Sequence, residues 1–327
     1  MALIFNAGAH MRLPDFIIIG AAKAGTTSLY ALLDRHPQIF MPKTKEPEFF
    51  ARDDRYDAGI DEYGAAFANA RDDQIVGEAS TIYSLSPFFS ETARRMKKHL
   101  PHAKLIYVMR EPVSRAYSYY VQIIKNYQNS TNDPVVHRSF EEFVLPEAWK
   151  DAAPRDKVFA RFDSHLPDVP ELCLAGSEYA LQIEAYLEHY SRNQILFLKF
   201  EDFVSNRPAA LRKITDFLGV DPLETLIFSE AAVTRNVSKD HFQDLEQQVK
   251  LDRLRSQTGS LWGIRKFLPQ GLRSELKRYL SNIPSQGSPY TPPPMQPTTK
   301  ALLQARFAGQ KDRLSALTGL TFKAWGW

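Results

Sequence analysis

The hydrophobic positions of the chain form short apolar runs, and these runs are separated by longer segments with helical spacing. The runs are rich in Ile, Val, Leu and Phe and predict buried strands at 15–20, 74–78, 104–109 and 194–199. Helical patterns lie between and after them, at SLYALLDRH, 87–99, 112–126, 178–189 and 208–218. Strands that alternate with helices favour right-handed crossovers in a parallel sheet. We therefore predict an α/β fold with a parallel sheet flanked by helices, which continues to about residue 222.

The remaining segments predict helical insertions and a helical C-terminal region. Five prolines interrupt 131–174, which indicates short helices and loops, and six prolines in 284–297 indicate an extended loop before a helix over 299–317. We expect 131–174 and 230–298 to shape a cleft within a single domain over 12–327. The first eleven residues, MALIFNAGAHM, look like a tag or leader and are left out of the fold prediction.

Composition and charge narrow the class of protein. The chain has 41 Lys and Arg against 38 Asp and Glu, a net charge of +3, so no strong positive field favours nucleic-acid binding. The longest apolar runs are far shorter than the roughly 18 residues of a membrane-spanning helix. The single cysteine, Cys173, cannot form an internal disulfide, which favours a reducing compartment. We expect a cytoplasmic protein that neither binds nucleic acid nor spans a membrane.

The loop after the first predicted strand carries the strongest chemical signal. GAAKAGTTS at 20–28 links a buried strand to a helix, where backbone N–H groups and the helix dipole favour an anion. A nucleoside-triphosphatase loop has lysine directly after its second glycine, whereas here Thr26 follows Gly25 and Lys23 lies inside the loop. Arg110 ends the strand 104–109, where such an enzyme commonly places an aspartate for magnesium. These residues predict a P-loop-like fold and metal-free binding of, or transfer from, an anionic nucleotide.

At these residues the sequence resembles a known family. FIIIGAAKAGTTSLYALL resembles the 5′-phosphosulfate loop of sulfotransferases that use 3′-phosphoadenosine 5′-phosphosulfate (PAPS), and YVMREPVSRAYSYY resembles their 3′-phosphate segment. KEPEFF at 45–50, then GIDEYGAAF and GEASTIYSLSP, follow in the order of the heparan-sulfate-type enzymes. The resemblance is greatest to that group and extends from Asp15 to about Gly219.

The resemblance implies a role for each matching residue. Glu46 stands at the position of the catalytic base, and Lys23 would stabilise negative charge on the leaving nucleotide. The products would be adenosine 3′,5′-bisphosphate (PAP) and a sulfated acceptor, either a carbohydrate or a small molecule, and no metal is expected. The residues implied to bind the donor are Lys23, Ala24, Gly25, Thr26, Thr27 and Ser28 at the 5′-phosphosulfate, with Arg110 and Ser118 at the 3′-phosphate.

Two features depart from the heparan-sulfate-type pattern. Ala79 stands where those enzymes carry a lysine after the glutamate equivalent to Glu78, so a second active-site cation is missing or supplied from elsewhere. SPYTPPPMQPTTK does not match the family's late loop over the nucleotide, so the C-terminal residues that close over the nucleotide are not assigned.

The residues alone leave other interpretations open. Glu46 could be a solvated acid before Pro47, Arg110 could form a surface ion pair with Glu111 or Asp34, and Lys43 and Lys45 are predicted to be charges at the rim of the site. Two other functions fit the motifs: a magnesium-dependent nucleotide or sugar kinase on a P-loop scaffold, and a noncatalytic module that binds an anionic nucleotide. The sequence does not specify the oligomeric state.

Overall fold

A five-stranded parallel sheet forms the centre of the fold. The computed structural model describes residues 11–86, 88–127, 139–144, 169–222 and 293–326. The strands lie in the order β2-β3-β1-β4-β5, and all pairs are parallel. Their bounds are β1 Phe16–Gly20, β2 Ile39–Phe40, β3 Ile75–Ala79, β4 Lys104–Met109 and β5 Ile195–Lys199. The predicted parallel α/β sheet is confirmed.

Helices connect the strands and flank the sheet. In chain order they are α1 Thr26–Leu33, α2 Asp53–Asp57, α3 Ile60–Ala65, α4 Thr92–His99, α5 Pro112–Tyr127, α6 Phe140–Val144, α7 Val169–Ala175, α8 Tyr179–Leu187, α9 Phe200–Ser205, α10 Arg207–Leu218, α11 Pro297–Ala308 and α12 Lys311–Thr318. Short 3₁₀ helices span Thr81–Ser84, Arg192–Gln194 and Lys323–Trp325.

The central strands are apolar along their whole length because both faces of the sheet are covered. All five residues of β1 are buried, and so are the last five residues of β4. Continuous apolar runs, rather than alternation, are typical of parallel strands in this setting. Helix α10 shows how sequence sets both ends of a helix. At its start the Asn206 side chain accepts a hydrogen bond from the amide of Ala209, and at its end Gly219 adopts a φ of 80°.

The structure differs from the sequence prediction at three elements. Strand β2 was not predicted, because two residues paired at the sheet edge give no periodic pattern. The helix predicted from residue 87 begins at Thr92. The helix predicted over 299–317 is divided into α11 and α12. Glycine at 309 weakens helix propensity there. The Gln310 side chain accepts a hydrogen bond from the amide of Ala180 and donates one to the carbonyl of Ser177, which holds the break between α11 and α12 against the start of α8.

Several predictions fall largely outside the described residues. Helices α6 and α7 are the described parts of 131–174, and they are short, as predicted. The rest of that segment, most of 230–298 and residues 1–10 are outside the described ranges. The predicted cleft and the tag or leader therefore stay predictions. Across the described ranges, every helix is too short or too polar to span a bilayer.

Candidate active site

Three polar segments meet at the carboxyl ends of neighbouring strands. The loop that begins at Gly20 follows β1, which lies between β3 and β4 in the sheet, and Arg110 follows β4. Glu46 comes after β2 in the chain, but its amide donates to the carbonyl of Ala79 at the end of β3 (3.0 Å). The strand order therefore places Glu46 on one side of the central loop and Arg110 on the other. Ligands of open α/β sheets bind at this edge.

The loop presents backbone amides at the start of α1. It is closed by hydrogen bonds from the amide of Ala21 to the carbonyl of Val108 (2.8 Å) and from the amide of Ala24 to the carbonyl of Ala21 (3.1 Å). The first bond within α1 runs from the amide of Leu29 to the carbonyl of Gly25 (3.1 Å). The amides of residues 25–28 precede it, so they have no acceptor within the helix and are oriented to bind an anion.

The predicted ligands in the loop therefore fall into two groups. Gly25, Thr26, Thr27 and Ser28 contribute the amides at the helix start. Ala24 is different, because its amide bonds within the loop and its side chain is fully buried. The geometry shows Ala24 as part of the turn, and its predicted part in donor binding stays a prediction.

Gly25 leaves no room for a side chain. Its φ of 82° lies in the left-handed region that favours glycine. A Cβ at this position would lie 2.9 Å from the ring of Phe200, the first residue of α9. The same ring faces the guanidinium of Arg110, 5.0 Å from the ring centroid. No sequence motif pointed to Phe200, which packs against both the loop and Arg110.

Arg110 contacts the loop directly. Its Nη1 donates to the carbonyl of Lys23 (3.2 Å), and its own carbonyl accepts from the hydroxyl of Tyr179 (2.6 Å). Burial lowers the pKa of the Arg110 guanidinium, and the nearby charge of Glu201 opposes this effect. Within the described ranges Arg110 forms no ion pair with Glu111 or Asp34, so the alternative of a surface ion pair is wrong.

Lys23 adopts a backbone conformation that is rare for a side-chain-bearing residue. Its φ is 70°, and a left-handed conformation costs about 1–2 kcal/mol outside glycine. Its Nζ donates to Oε1 of Gln122 on α5 (2.8 Å). Gln122 lies one helical turn after Ser118, so the two residues share a helix face. The loop lysine therefore reaches the part of α5 that carries the predicted 3′-phosphate ligand.

Glu46 is held by the end of β3 and the 3₁₀ helix after it. Its φ of 59° is also left-handed. The amide of Thr81 donates to Oε2 (2.6 Å), and the Thr81 hydroxyl donates to Oε1 (3.3 Å). Lys45 Nζ lies 2.5 Å from Oε1, with 17% of the lysine side chain and 27% of the glutamate side chain exposed. The carboxylate is thus fixed in orientation but partly open to solvent.

The contact adds a partner to one of the two predicted rim charges. Lys45 is ion-paired with Glu46, and its place at the rim stays a prediction. Lys43 is exposed, as expected of a rim charge.

A second carboxyl group, Glu78, is buried near Glu46. It is fully buried, and the hydroxyl of Tyr63 donates to its Oε2 (2.8 Å). Burial raises the pKa of Glu78 to about 7; hydrogen bonds from Ser80 and Tyr63 oppose the increase, and the charge of Glu46 adds to it. The next residue, Ala79, is also fully buried. The cation that contacts Glu46 is therefore Lys45, and not a side chain at position 79.

Sequence analysis did not single out Arg115, which also contacts the loop. Its Nη1 donates to the carbonyl of Ala22 (3.3 Å), although the residue is fully buried. The signal that could have found it is its helix face: Arg115 lies three positions before Ser118, so it shares a face of α5 with the predicted 3′-phosphate ligand.

The fold defines a P-loop-like α/β protein whose loop after β1 presents the backbone amides at the start of α1. Residues 13–282 match the family model described as "Sulfotransferase domain", which is well over half of the chain. The chain belongs to the sulfotransferase family, and the family predicted from the motifs is confirmed.

Individual relatives agree with this assignment. The chain is 32% identical to bifunctional heparan sulfate N-deacetylase/N-sulfotransferase 4 of Mus musculus over 216 residues, which is 64% of this chain and 23% of that protein. It is 34% identical to bifunctional heparan sulfate N-deacetylase/N-sulfotransferase 3 of Homo sapiens over 221 residues, again 64% of this chain and 23% of that protein. The chain thus spans less than a quarter of the length of these relatives.

A solved structure has the same fold. The sulfotransferase from Alicyclobacillus acidocaldarius superimposes with a TM-score of 0.61 and 24% identity, and the alignment covers 97% of this chain and 100% of that chain. This likeness supports the fold assignment.

Proposed function

We propose that the protein transfers a sulfuryl group from PAPS to a hydroxyl or amine of an acceptor, with a carbohydrate as the first acceptor class. One observation carries the proposal: Arg110, which follows β4, donates to the carbonyl of Lys23, so a second cation is bonded to the loop that carries Lys23. A nucleotide with negative groups at both its 5′ and 3′ ends suits such a pair. Membership in the sulfotransferase family supports sulfuryl as the transferred group.

The described residues fit the donor. The amides of residues 25–28 and the ammonium of Lys23 would bind the 5′-phosphosulfate, and Arg110 with Ser118 would bind the 3′-phosphate. Gly25 lets the loop backbone approach the donor, because its φ of 82° and the nearby Phe200 ring exclude a side chain. Lys23 would stabilise the negative charge that develops on the leaving oxygen, which favours the transition state over the bound substrate. PAP would be the product.

Glu46 would act as the base. As the acceptor oxygen or nitrogen forms its bond to sulfur, the bond between sulfur and the nucleotide's bridging oxygen breaks and that oxygen keeps the electron pair. The proton of the acceptor passes to the Glu46 carboxylate. Thr81 and Lys45 bond this carboxylate and hold its orientation. The partial exposure of Glu46 leaves it accessible to an acceptor.

The relatives support a carbohydrate acceptor. Those named above are heparan sulfate N-deacetylase/N-sulfotransferases, so a glucosamine amine is the first acceptor to test. A small hydroxyl-bearing metabolite is the second. The cytoplasmic location and the single domain over 12–327 stay predictions.

A transfer assay combined with nucleotide binding tests the proposal. The full chain is incubated with radiolabelled PAPS and three acceptors: a polysaccharide with free glucosamine amines, the same polysaccharide N-acetylated, and a small alcohol. We expect label on the free-amine polysaccharide and tight binding of PAP by calorimetry. Binding of ATP with magnesium but not of PAP would favour the kinase. Binding of PAP without transfer to any acceptor would favour the noncatalytic module.

A further inference from the structure

Arg115 is a buried cation to which the proposed mechanism gives no role. It lies on α5 and is fully buried, the largest such side chain in the described ranges. Burial of a guanidinium is unfavourable unless its donors are bonded and its charge is compensated. The groups that contact Arg115 therefore indicate the function of its charge.

The guanidinium joins the loop to the turn after α7. Its Nε donates to Oγ of Ser177 (2.6 Å), its Nη1 donates to the carbonyl of Ala22 (3.3 Å), and its Nη2 donates to the carbonyl of Cys173. The packing is tight, because a Cβ at Gly176 would lie 2.9 Å from Nη2. The residue directly before Lys23 is thus fixed by a side chain of α5.

These acceptors are neutral, so they satisfy the hydrogen bonds of Arg115 without cancelling its charge. The nearby carboxylates have other donors: Glu111 accepts from the amides of Val113 and Ser114, and Glu201 accepts from the amide of Glu111 and from Trp325. Among the residues that the structure describes, no carboxylate is ion-paired with Arg115. Its positive charge remains directed at the loop, where an anion can use it.

We propose that Arg115 is a positioning residue of the donor site: it fixes the carbonyl of Ala22 and so sets the geometry of Lys23 and the loop amides, and its buried charge strengthens binding of the donor's phosphosulfate. The inference rests on the proposed function, because it takes the loop as the donor site. The inference distinguishes donor binding from proton transfer to the base. Arg115 affects donor binding, whereas the base at Glu46 is held by β3 and the 3₁₀ helix and does not depend on it.

Variants of two residues test this role. R115Q removes the charge and keeps much of the side-chain volume, and R115K keeps the charge but cannot reach all three acceptors at once. G176A presses a methyl group against the guanidinium and leaves Arg115 itself unchanged. G309A is the matched control, because its Cβ would lie 3.8 Å from the carbonyl oxygen of Arg306, an ordinary contact.

The readouts are the Kd of PAP by calorimetry, the Tm without ligand, and the KM values of donor and acceptor. We expect R115Q to raise the Kd of PAP and the KM of PAPS by about tenfold or more, with the acceptor KM unchanged. R115K should lie between R115Q and the wild type. G176A should raise the Kd of PAP while G309A leaves it unchanged.

Each contrary outcome is distinguishable. A folded R115Q that binds PAP as the wild type does would overturn the inference, and if R115Q fails to fold, an unchanged Kd in G176A would do so. Full recovery in R115K would overturn the positioning role, since only the charge is retained. A wild type that does not bind PAP would overturn the proposed function and this inference together. If the wild type binds PAP and the variants R115Q and G176A bind it with the same Kd, the inference alone is overturned.

Discussion

The two halves of the site handle charge in different ways. In the donor half, which comprises loop 20–28, Arg110 and Arg115, the arginines donate to neutral backbone carbonyls of the loop. In the base half, which comprises 45–46 and 78–81, the Lys45 ammonium pairs with the Glu46 carboxylate. The donor half therefore keeps positive charge for an anionic ligand, whereas the base half compensates its charge locally.

This difference predicts how variants should separate. Changes in the donor half should weaken nucleotide binding and slow transfer together, because the same cations contact the donor before and during the reaction. Changes in the base half should slow transfer and leave nucleotide binding intact. A base-half variant that weakens nucleotide binding, or a donor-half variant that leaves it intact, would contradict the comparison.

The largest effect is expected from Glu46→Gln in the base half. The amide cannot accept the acceptor's proton, so kcat should fall by about 10²- to 10⁴-fold, while the Kd of PAP stays at the wild-type value. Sulfate transfer and calorimetry on the same preparation measure the two quantities. Glu62→Gln, an exposed change on α3, is the matched control and should retain full activity. Full transfer by E46Q would remove the assignment of the base.

The next effect is expected from Lys23→Ala in the donor half. Loss of the ammonium removes stabilisation of the leaving oxygen, so kcat should fall by about 10²- to 10³-fold, and here the Kd of PAPS should also rise. Single-turnover transfer at saturating PAPS, together with a binding titration, separates the two contributions. Lys213→Ala, at an exposed position on α10, controls for loss of a surface lysine. An unchanged rate in K23A would contradict the role given to the loop lysine.

The parts of this architecture that sequence predicts are those with a local pattern. Strands β1, β4 and β5 are apolar runs between turn and helix signals, so their positions along the chain could be predicted. The loop at 20–28 is also local, because its glycines, lysine and following helix lie within a few positions. Strand β2 has two residues and pairs only at an edge, so no periodicity exists to detect it.

The contacts that complete the site are not local. Arg115 reaches a carbonyl 93 positions away, and Thr81 holds a carboxylate 35 positions away. Such pairs arise from the crossover connections of the sheet, which bring distant segments to one edge. The pairing of Lys45 with Glu46 is adjacent in sequence, but it depends on the left-handed backbone at Glu46, which the sequence does not signal.

The smallest effect concerns the buried carboxyl of the base half and appears in stability. Burial raises the pKa of Glu78 from its ordinary value of 4.5 to about 7. Between these values the folded protein binds more protons than the unfolded chain, so this group lowers the free energy of unfolding as the pH rises. The slope is at most about 1.4 kcal/mol per pH unit, and the loss persists above the upper value.

Glu78→Gln removes this ionisation and keeps an oxygen that can accept from Tyr63. Urea unfolding of both proteins across this pH interval should show the stability of the variant gaining on that of the wild type as the pH rises, with a constant difference above the interval. Burial of the glutamine amide can change the free energy of unfolding of the variant by the same amount at every pH. The informative quantity is therefore how the difference in free energy between the two proteins changes with pH. Glu62→Gln should show no comparable change. Parallel curves for E78Q and the wild type would mean that folding does not raise the pKa of Glu78, and that the base half holds a buried negative charge at Glu78 that Lys45, paired with Glu46, does not compensate.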